Sequence, residues 1–345
     1  MPDVDPRDAV AVSDAVCAWA RRRFGGEVAP AEPPRSVGAG FDSYIHLLQL
    51  RGPGLPPAWT APLVVRILPS VERMDQAHKE ALVQGWSADQ GYDAPRVLAV
   101  LEPDELVGLP AQIMERAPGV TMIDALKAKP WRAVALARQL AALQLRLHAL
   151  DTTSWPGSKD PAALVDARLF LPRRAVEVLG DADLAAALRR AEELASECAG
   201  GGDRVVCHGD FHPLNVMVDG PRAAVIDWTD AGLGPREADV ARTSLLFHMA
   251  ALAAESRAER LALSVLGPRL AGRYLRAYRA GRDLDEVLMR RWDALHALHG
   301  WAQVEMLHAG AFEGTSSSAG NEARIPRALG TWLQNRFNDD LRALG

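Results

Sequence analysis

The sequence predicts an α+β protein of two unequal lobes, a β-rich N-terminal lobe over residues 1–116 and a helical C-terminal lobe over 117–345. Three observations carry this expectation. The chain has 345 residues, more than one hydrophobic core usually organises. Before Pro118-Gly119, short β-branched runs are bounded by glycine and proline, the pattern of strands and turns. After it, long Ala/Leu/Arg-rich stretches such as "MIDALKAKPWRAVALARQLAALQLRLHAL" repeat apolar residues at helical spacing.

The elements follow in order. Residues 6–25 read as an amphipathic helix carrying Val10, Val12, Val16, Trp19 and Ala20 and stopped at Gly25-Gly26. "SVGAGFDSYIHLLQLRGPG" reads as strand, small-residue turn and strand, and "APLVVRILPS" as a third strand. A helix then places Met74, Ala77 and Ala81 on one side, and two strands flank a turn near Pro103-Asp104. In the second lobe a helix opens near Pro130, a residue suited to a first turn, and another covers roughly 182–198. Short strands and turns come next, then helices to the C-terminus, broken by the small polar segment Glu313–Ala323.

Composition narrows the function classes. The apolar fraction of 48% and charged fraction of 24% are those of a globular protein. A net charge of −5 argues against nucleic acid as a partner. Cys17, Cys198 and Cys207 are scattered, odd in number and without metal-binding spacing, which fits a reducing compartment. The start MPDVDPRDAV is unlike a signal peptide, and no apolar run approaches the ~18 residues of a membrane span. The expectation is a cytoplasmic protein with no membrane partner.

The stretch "VVCHGDFHPLNVMVDGPRAAVIDWTD" carries the chemistry. Phosphoryl transfer needs a carboxylate to orient the attacking hydroxyl, oxygen ligands for Mg²⁺ and a cation on the phosphates. Asp210 and Asn215 have the D-x-x-x-x-N spacing of a kinase catalytic loop, and Asp227 closes the hydrophobic strand "AAVIDW". Hard oxygen donors suit Mg²⁺ rather than zinc. Taken alone, the three residues are also compatible with ordinary loop and turn positions.

His208, Gly209, Asp210, His212, Pro213, Asn215 and Asp227 together resemble the signature of the aminoglycoside phosphotransferase and choline-kinase-like family, relatives of the protein kinases. The resemblance is strongest over 205–242 and implies a protein-kinase-like fold. It implies Asp210 as catalytic base, Asn215 and Asp227 as Mg²⁺ ligands, and His208 as a brace of the loop. His212 either fixes the loop or meets substrate, and Asp239 ties the region down. Upstream, Arg66 stands where the family usually has lysine, with Glu80 as its helix partner. Gly38, Gly40 and Ser43 lie where a nucleotide-covering loop would be, and backbone groups around Met114, Glu115 and Ala117 where the purine of ATP or GTP would bind.

No G-x-x-x-x-G-K-[ST] occurs, and "DWTDAGLGP" replaces the D-F-G and A-P-E elements of protein kinases. A hydroxylated small molecule is therefore the expected acceptor. Trp292, His296, His299 and Glu305, on one helix, are the candidate acceptor wall. An antibiotic is the first reading of that acceptor and choline, homoserine or a sugar the second. A non-catalytic nucleotide-binding module is the third reading of the chain.

Overall fold

A computed structural model describes residues 4–37, 43–252, 254, 256–311 and 326–344. These residues form two compact units. The first holds the chain up to Pro118 together with Ala224–Thr229, and the second holds the rest.

The first unit contains α1 (Ala9–Phe24), β1 (Ala29–Pro30), β2 (Arg35–Ser36), β3 (Tyr44–Arg51), α2 (Pro57–Thr60), β4 (Pro62–Ile67), α3 (Met74–Asp89), β5 (Val97–Leu101) and β6 (Ala111–Glu115). Its antiparallel sheet has the order β1-β3-β4-β6-β5, with β2 also paired to β3. Helix α1 begins where the Asp8 carboxylate accepts from Val10 N and Ala11 N, and ends at Gly25, whose φ of 77° suits a residue without Cβ. Its Val12, Val16 and Trp19 pack with Leu48, Leu50 and Trp59 in one core. Along β4, side chains alternate between faces. Leu63, Val65 and Ile67, all fully buried, belong to that core, and Arg66 therefore projects from the opposite face. The register sets Arg66 beside Gln112 of β6, whose amide donates to Ala77 O of α3.

The second unit contains β7 (Val120–Thr121), α4 (Met122–Ala128), α5 (Ala133–Leu147), α6 (Ala163–Leu179), α7 (Ala182–Gly200), β8 (Arg204–Cys207), β9 (Val216–Asp219), β10 (Arg222–Val225), β11 (Gly232–Pro235), α8 (Arg236–Met249), α9 (Arg257–Arg279), α10 (Glu286–His308) and α11 (Arg327–Leu344). Strand β10 carries the chain toward the first unit at its last two residues. Strand β8 pairs antiparallel with β11, β7 with β9, and the helices pack around them. The α+β class and the order of strands before helices agree with the sequence expectation.

Helix α6 was not expected from the sequence, because Pro172 interrupts its pattern. The expected break at Glu313–Ala323 lies outside the described residues. No helix among the described residues is long and apolar enough to cross a membrane.

Leu63, fully buried in the strand between β3 and β6, gives a direct test of the first core. Leu63→Ala is expected to cost about 2–5 kcal/mol, read from the urea midpoint. A loss below about 1 kcal/mol would contradict this packing.

Candidate active site

The catalytic-loop candidate begins where β8 ends. His208 is fully buried and edge-on to Phe211, with ring centroids 5.7 Å apart. Gly209 follows at φ 80°. A Cβ there would lie 2.5 Å from Asp230 O and 2.8 Å from Asp230 Cβ, so only glycine fits. Its N–H donates to Asp239 Oδ1 at 2.7 Å. Asp239 Oδ2 accepts from Gln144 Nε2 at 2.8 Å and from His148 Nε2 at 3.1 Å. Burial opposes the Asp239 charge, but the His148 hydrogen bond and the neighbouring His208 and Gln144 hold its pKa down to about 2.

From Asp210 to Asn215 the chain makes a turn that brings its two ends together. Asn215 Nδ2 donates to the Asp210 carbonyl at 3.0 Å and to Oδ2 at 3.2 Å. His212 Nδ1 accepts from Leu214 N at 3.2 Å, which leaves the proton on Nε2 to donate to Asp210 Oδ2 at 3.0 Å. The other oxygen, Oδ1, accepts from Arg242 of α8, at 3.3 Å from Nε and 3.1 Å from Nη2. Burial raises the Asp210 pKa. The Arg242 charge and the His212 hydrogen bond outweigh it and hold the carboxyl well below its usual range.

Arg168 of α6, 2% exposed, ties this loop to its surroundings. Its Nη2 donates to Gly209 O at 3.1 Å and pairs with Asp230 Oδ2 at 2.9 Å. Its own carbonyl accepts from His299 Nδ1 at 3.0 Å. Burial and the charges of Arg168 and Arg242 lower the His299 pKa to about 4, so this ring is neutral at pH 7.

His299 alone among the four proposed wall residues is tied to the Asp210 loop in this way. Trp292 is fully buried and stacks near His296, with centroids 5.6 Å apart. His296 donates from Nε2 to Ala238 O of α8 at 2.8 Å and is 2% exposed. His296 thus packs α10 on α8 and Trp292 is buried beside it, which corrects the wall expectation: aromatic residues at helical spacing face the core. Glu305 points toward Gly330 of α11, where a Cβ would meet its Oε1 at 3.0 Å.

The first unit holds a second cluster. Arg66, 8% exposed, pairs through Nη1 with Glu80 Oε1 and donates from Nε to Ser43 Oγ at 3.2 Å. Nη2 reaches Thr229 Oγ1 at 3.3 Å and Asp227 Oδ1 at 3.5 Å. The single Thr229 hydroxyl proton serves either Glu80 Oε2 at 3.1 Å or Asp227 Oδ1 at 2.9 Å. Burial pushes the Glu80 pKa up against the pull of Arg66.

Trp228 anchors the segment: it is fully buried, donates from Nε1 to Val225 O at 3.0 Å and meets Tyr92 edge-on. Asp227 adopts φ 64°, a left-handed conformation that aspartate tolerates better than most residues, and its carboxylate is 45% exposed.

Met114 lies inside the ladder between β4 and β5, which corrects its assignment as a purine contact. The Glu115 N–H donates to Arg96 O and the Arg116 N–H to Pro62 O. Gly38 and Gly40 lie outside the described residues.

Among the described residues no group of three or more His, Cys, Asp or Glu side chains could hold a metal. Asn215 turns its amide nitrogen, not its oxygen, to Asp210, and the Asp227 side chain is 45% exposed.

The sequence reading missed Arg242, Arg168, Asp230 and Thr229. Arg242 follows Asp239 by three residues on one helix, a spacing that could have flagged it. Arg168 gave no local signal.

A model of the family described as "Phosphotransferase enzyme family" matches residues 57–294. The chain belongs to this phosphotransferase family. No curated protein matches the sequence. A thermostable mutant of aminoglycoside phosphotransferase APH(4)-Ia, solved with ADP and hygromycin B, is similar at TM-score 0.58 and 18% identity, over 95% of this chain and 98% of that one. An aminoglycoside-3'-phosphotransferase of type VIII is similar at 0.55 and 25% identity, over 84% and 99%. A choline/ethanolamine kinase family protein from Mesorhizobium loti is similar at 0.59 and 16% identity, over 97% and 99%.

The buried carboxylates give this phosphotransferase a definite acid response. Asp239 stays ionised in the folded state down to about 2, whereas an aspartate in the unfolded chain protonates near ~3.9. A depressed folded value contributes stability that is present above the unfolded value and lost as pH falls through the folded one. Asp210 and Asp230 shift in the same direction. The melting temperature should therefore fall steeply between pH ~4 and ~2, and Asp239→Asn should flatten that fall. Parallel profiles for wild type and variant, measured by thermal melts at each pH, would contradict the assignment.

Proposed function

We propose that this phosphotransferase moves the terminal phosphoryl group of ATP, with GTP as the alternative donor, to a hydroxyl of a small molecule. The observation that carries the reading is the Asp210–Asn215 turn, in which three side chains hold one half-buried carboxylate in a single orientation. Asp210 receives the proton of the acceptor hydroxyl, and His208 and His212 hold it in place. A carboxylate this acidic does not deprotonate an alcohol beforehand. It orients the hydroxyl and takes the proton late, as a loose phosphoryl-transfer transition state allows.

Asn215 Oδ1 and the Asp227 carboxylate would hold Mg²⁺, which neutralises phosphate charge when bound. Arg66, oriented by Glu80, Ser43 and Thr229, meets the phosphates as a planar, permanently charged fork where lysine would be a point charge. Ser43 adds a hydroxyl beside it, and the Glu115 carbonyl and Ala117 amide take the base.

An antibiotic is the acceptor we favour. Around Asp210 the charges of Arg168 and Arg242 balance those of Asp210 and Asp230, and His299 is neutral. That balance supports an acceptor neutral near its reacting hydroxyl over a polycation. The metabolic reading, a small alcohol such as choline, finds support in the likeness to the choline/ethanolamine kinase family protein.

The test is nucleotide-diphosphate release by the purified protein against a panel of aminoglycosides, macrolides, nucleoside antibiotics, choline, homoserine and sugars. Acceptor-dependent release is expected. Asp210→Asn should lower kcat by about 10²–10⁴-fold with nucleotide affinity retained, and Asp227→Ala should abolish turnover. Full activity in either variant would refute the assignment of the site.

A further inference from the structure

The Asp210 carboxylate is not held by a fork across both its oxygens, the usual geometry of an arginine–carboxylate pair. Arg242 directs Nε and Nη2 to Oδ1 alone, at 3.3 and 3.1 Å. His212 Nε2 and Asn215 Nδ2 both donate to Oδ2, at 3.0 and 3.2 Å. A carboxylate offers about four lone-pair sites. Two on Oδ2 are filled and one on Oδ1 is shared by the guanidinium, so among the described residues the remaining direction on Oδ1 takes no side chain. Arg242 has 12% of its side chain exposed, and it stands one helical turn after Asp239, whose buried carboxylate fixes the same helix against the loop.

We infer that Arg242 is a positioning residue of the transfer reaction: it turns Asp210 so that the acceptor hydroxyl is received on Oδ1, beside the guanidinium. The inference rests on the kinase reading of the site. In the step itself the acceptor oxygen forms its bond to the terminal phosphorus while the bond from that phosphorus to the bridging oxygen breaks. The electron pair of the broken bond leaves with the nucleoside diphosphate, and the hydroxyl proton passes to Oδ1.

Arg242 acts twice on this proton. It holds the carboxylate in one orientation, and by occupying one side of Oδ1 it selects the oxygen that takes the proton. The other polar groups around Asp210 are His208 and His212 on the loop, Arg168 on α6, Asp230 before β11 and His299 on α10. Arg168 is engaged by Asp230 and Gly209 O, so among the described residues Arg242 is the arginine that meets the Asp210 carboxylate.

The experiment uses the full chain with Mg-ATP and water as the acceptor, so that no acceptor need be known, and compares wild type with Arg242→Gln, Arg242→Lys and Asp210→Asn. Arg242→Gln should lower kcat for nucleotide hydrolysis at least 10-fold and change KM for Mg-ATP less than 2-fold, with Arg242→Lys recovering part of the loss. In parallel, the crystal structure of Arg242→Gln is determined, and its Asp210 carboxylate should turn away from the orientation that Arg242 gives it in the wild type.

An unturned Asp210 carboxylate, or an unchanged kcat in a folded Arg242→Gln, would overturn the inference. A turned carboxylate in a protein that turns over no nucleotide, alone or with any acceptor, would overturn the kinase reading and leave the Arg242–Asp210 contact established.

Discussion

The unit that carries the Asp210 loop depends on one buried carboxylate. Asp239 is 1% exposed and accepts from the Gly209 N–H, Gln144 and His148. Gln144 is in turn held by the Tyr274 hydroxyl, and His148 by that of Tyr278 at 2.6 Å. A charge taken out of water costs several kcal/mol unless such donors surround it. These donors come from α5 and the loop, with α9 bracing them, so the charge is stable only when those elements are assembled around it. The geometry of Gly209 follows, and with it the direction in which Asp210 leaves the strand.

Two carboxylates at this loop, Asp210 on it and Asp239 on α8, thus serve opposite ends. Asp239 is saturated with donors and shut away from solvent, a fixed point of the scaffold. Asp210, with 28% of its side chain exposed, is held in one orientation yet stays in reach of solvent. Both are held below the usual carboxylate range, yet by different neighbours: His148, with His208 and Gln144, at Asp239, and the Arg242 cation at Asp210. In the first unit the same logic recurs with the sign reversed. A buried arginine, Arg66, gathers Glu80, Ser43 and Thr229 and is thereby fixed in direction. A fixed cation binds phosphate without first losing rotamer freedom.

What could be read from the sequence was whatever depends on local spacing. The period-two pattern of β4 separates Leu63, Val65 and Ile67 from Arg66. The five-residue step from Asp210 to Asn215 is the length of one tight turn. The residues that remained hidden act across the chain. Arg168 reaches Gly209 from 41 positions away, and no periodicity marks such a partner. Helix α6, which carries it, is masked by Pro172. Trp292, His296 and His299 share one helix, but spacing alone does not separate the face that packs on α8 from the edge that meets Arg168. Met114 failed as a purine contact for a related reason. Its strand was evident, but whether it was central or at the edge of the sheet depends on pairing between distant segments.

The most direct test of the Asp239 claim is amide hydrogen exchange over residues 205–216 in wild type and Asp239→Asn. Protection of the Gly209 amide and of the turn through Asn215 should collapse in the variant, by a factor of about 10² or more, while the sheet of the first unit exchanges as before. Unchanged protection at Gly209 in Asp239→Asn would show that the loop is held by something other than this carboxylate.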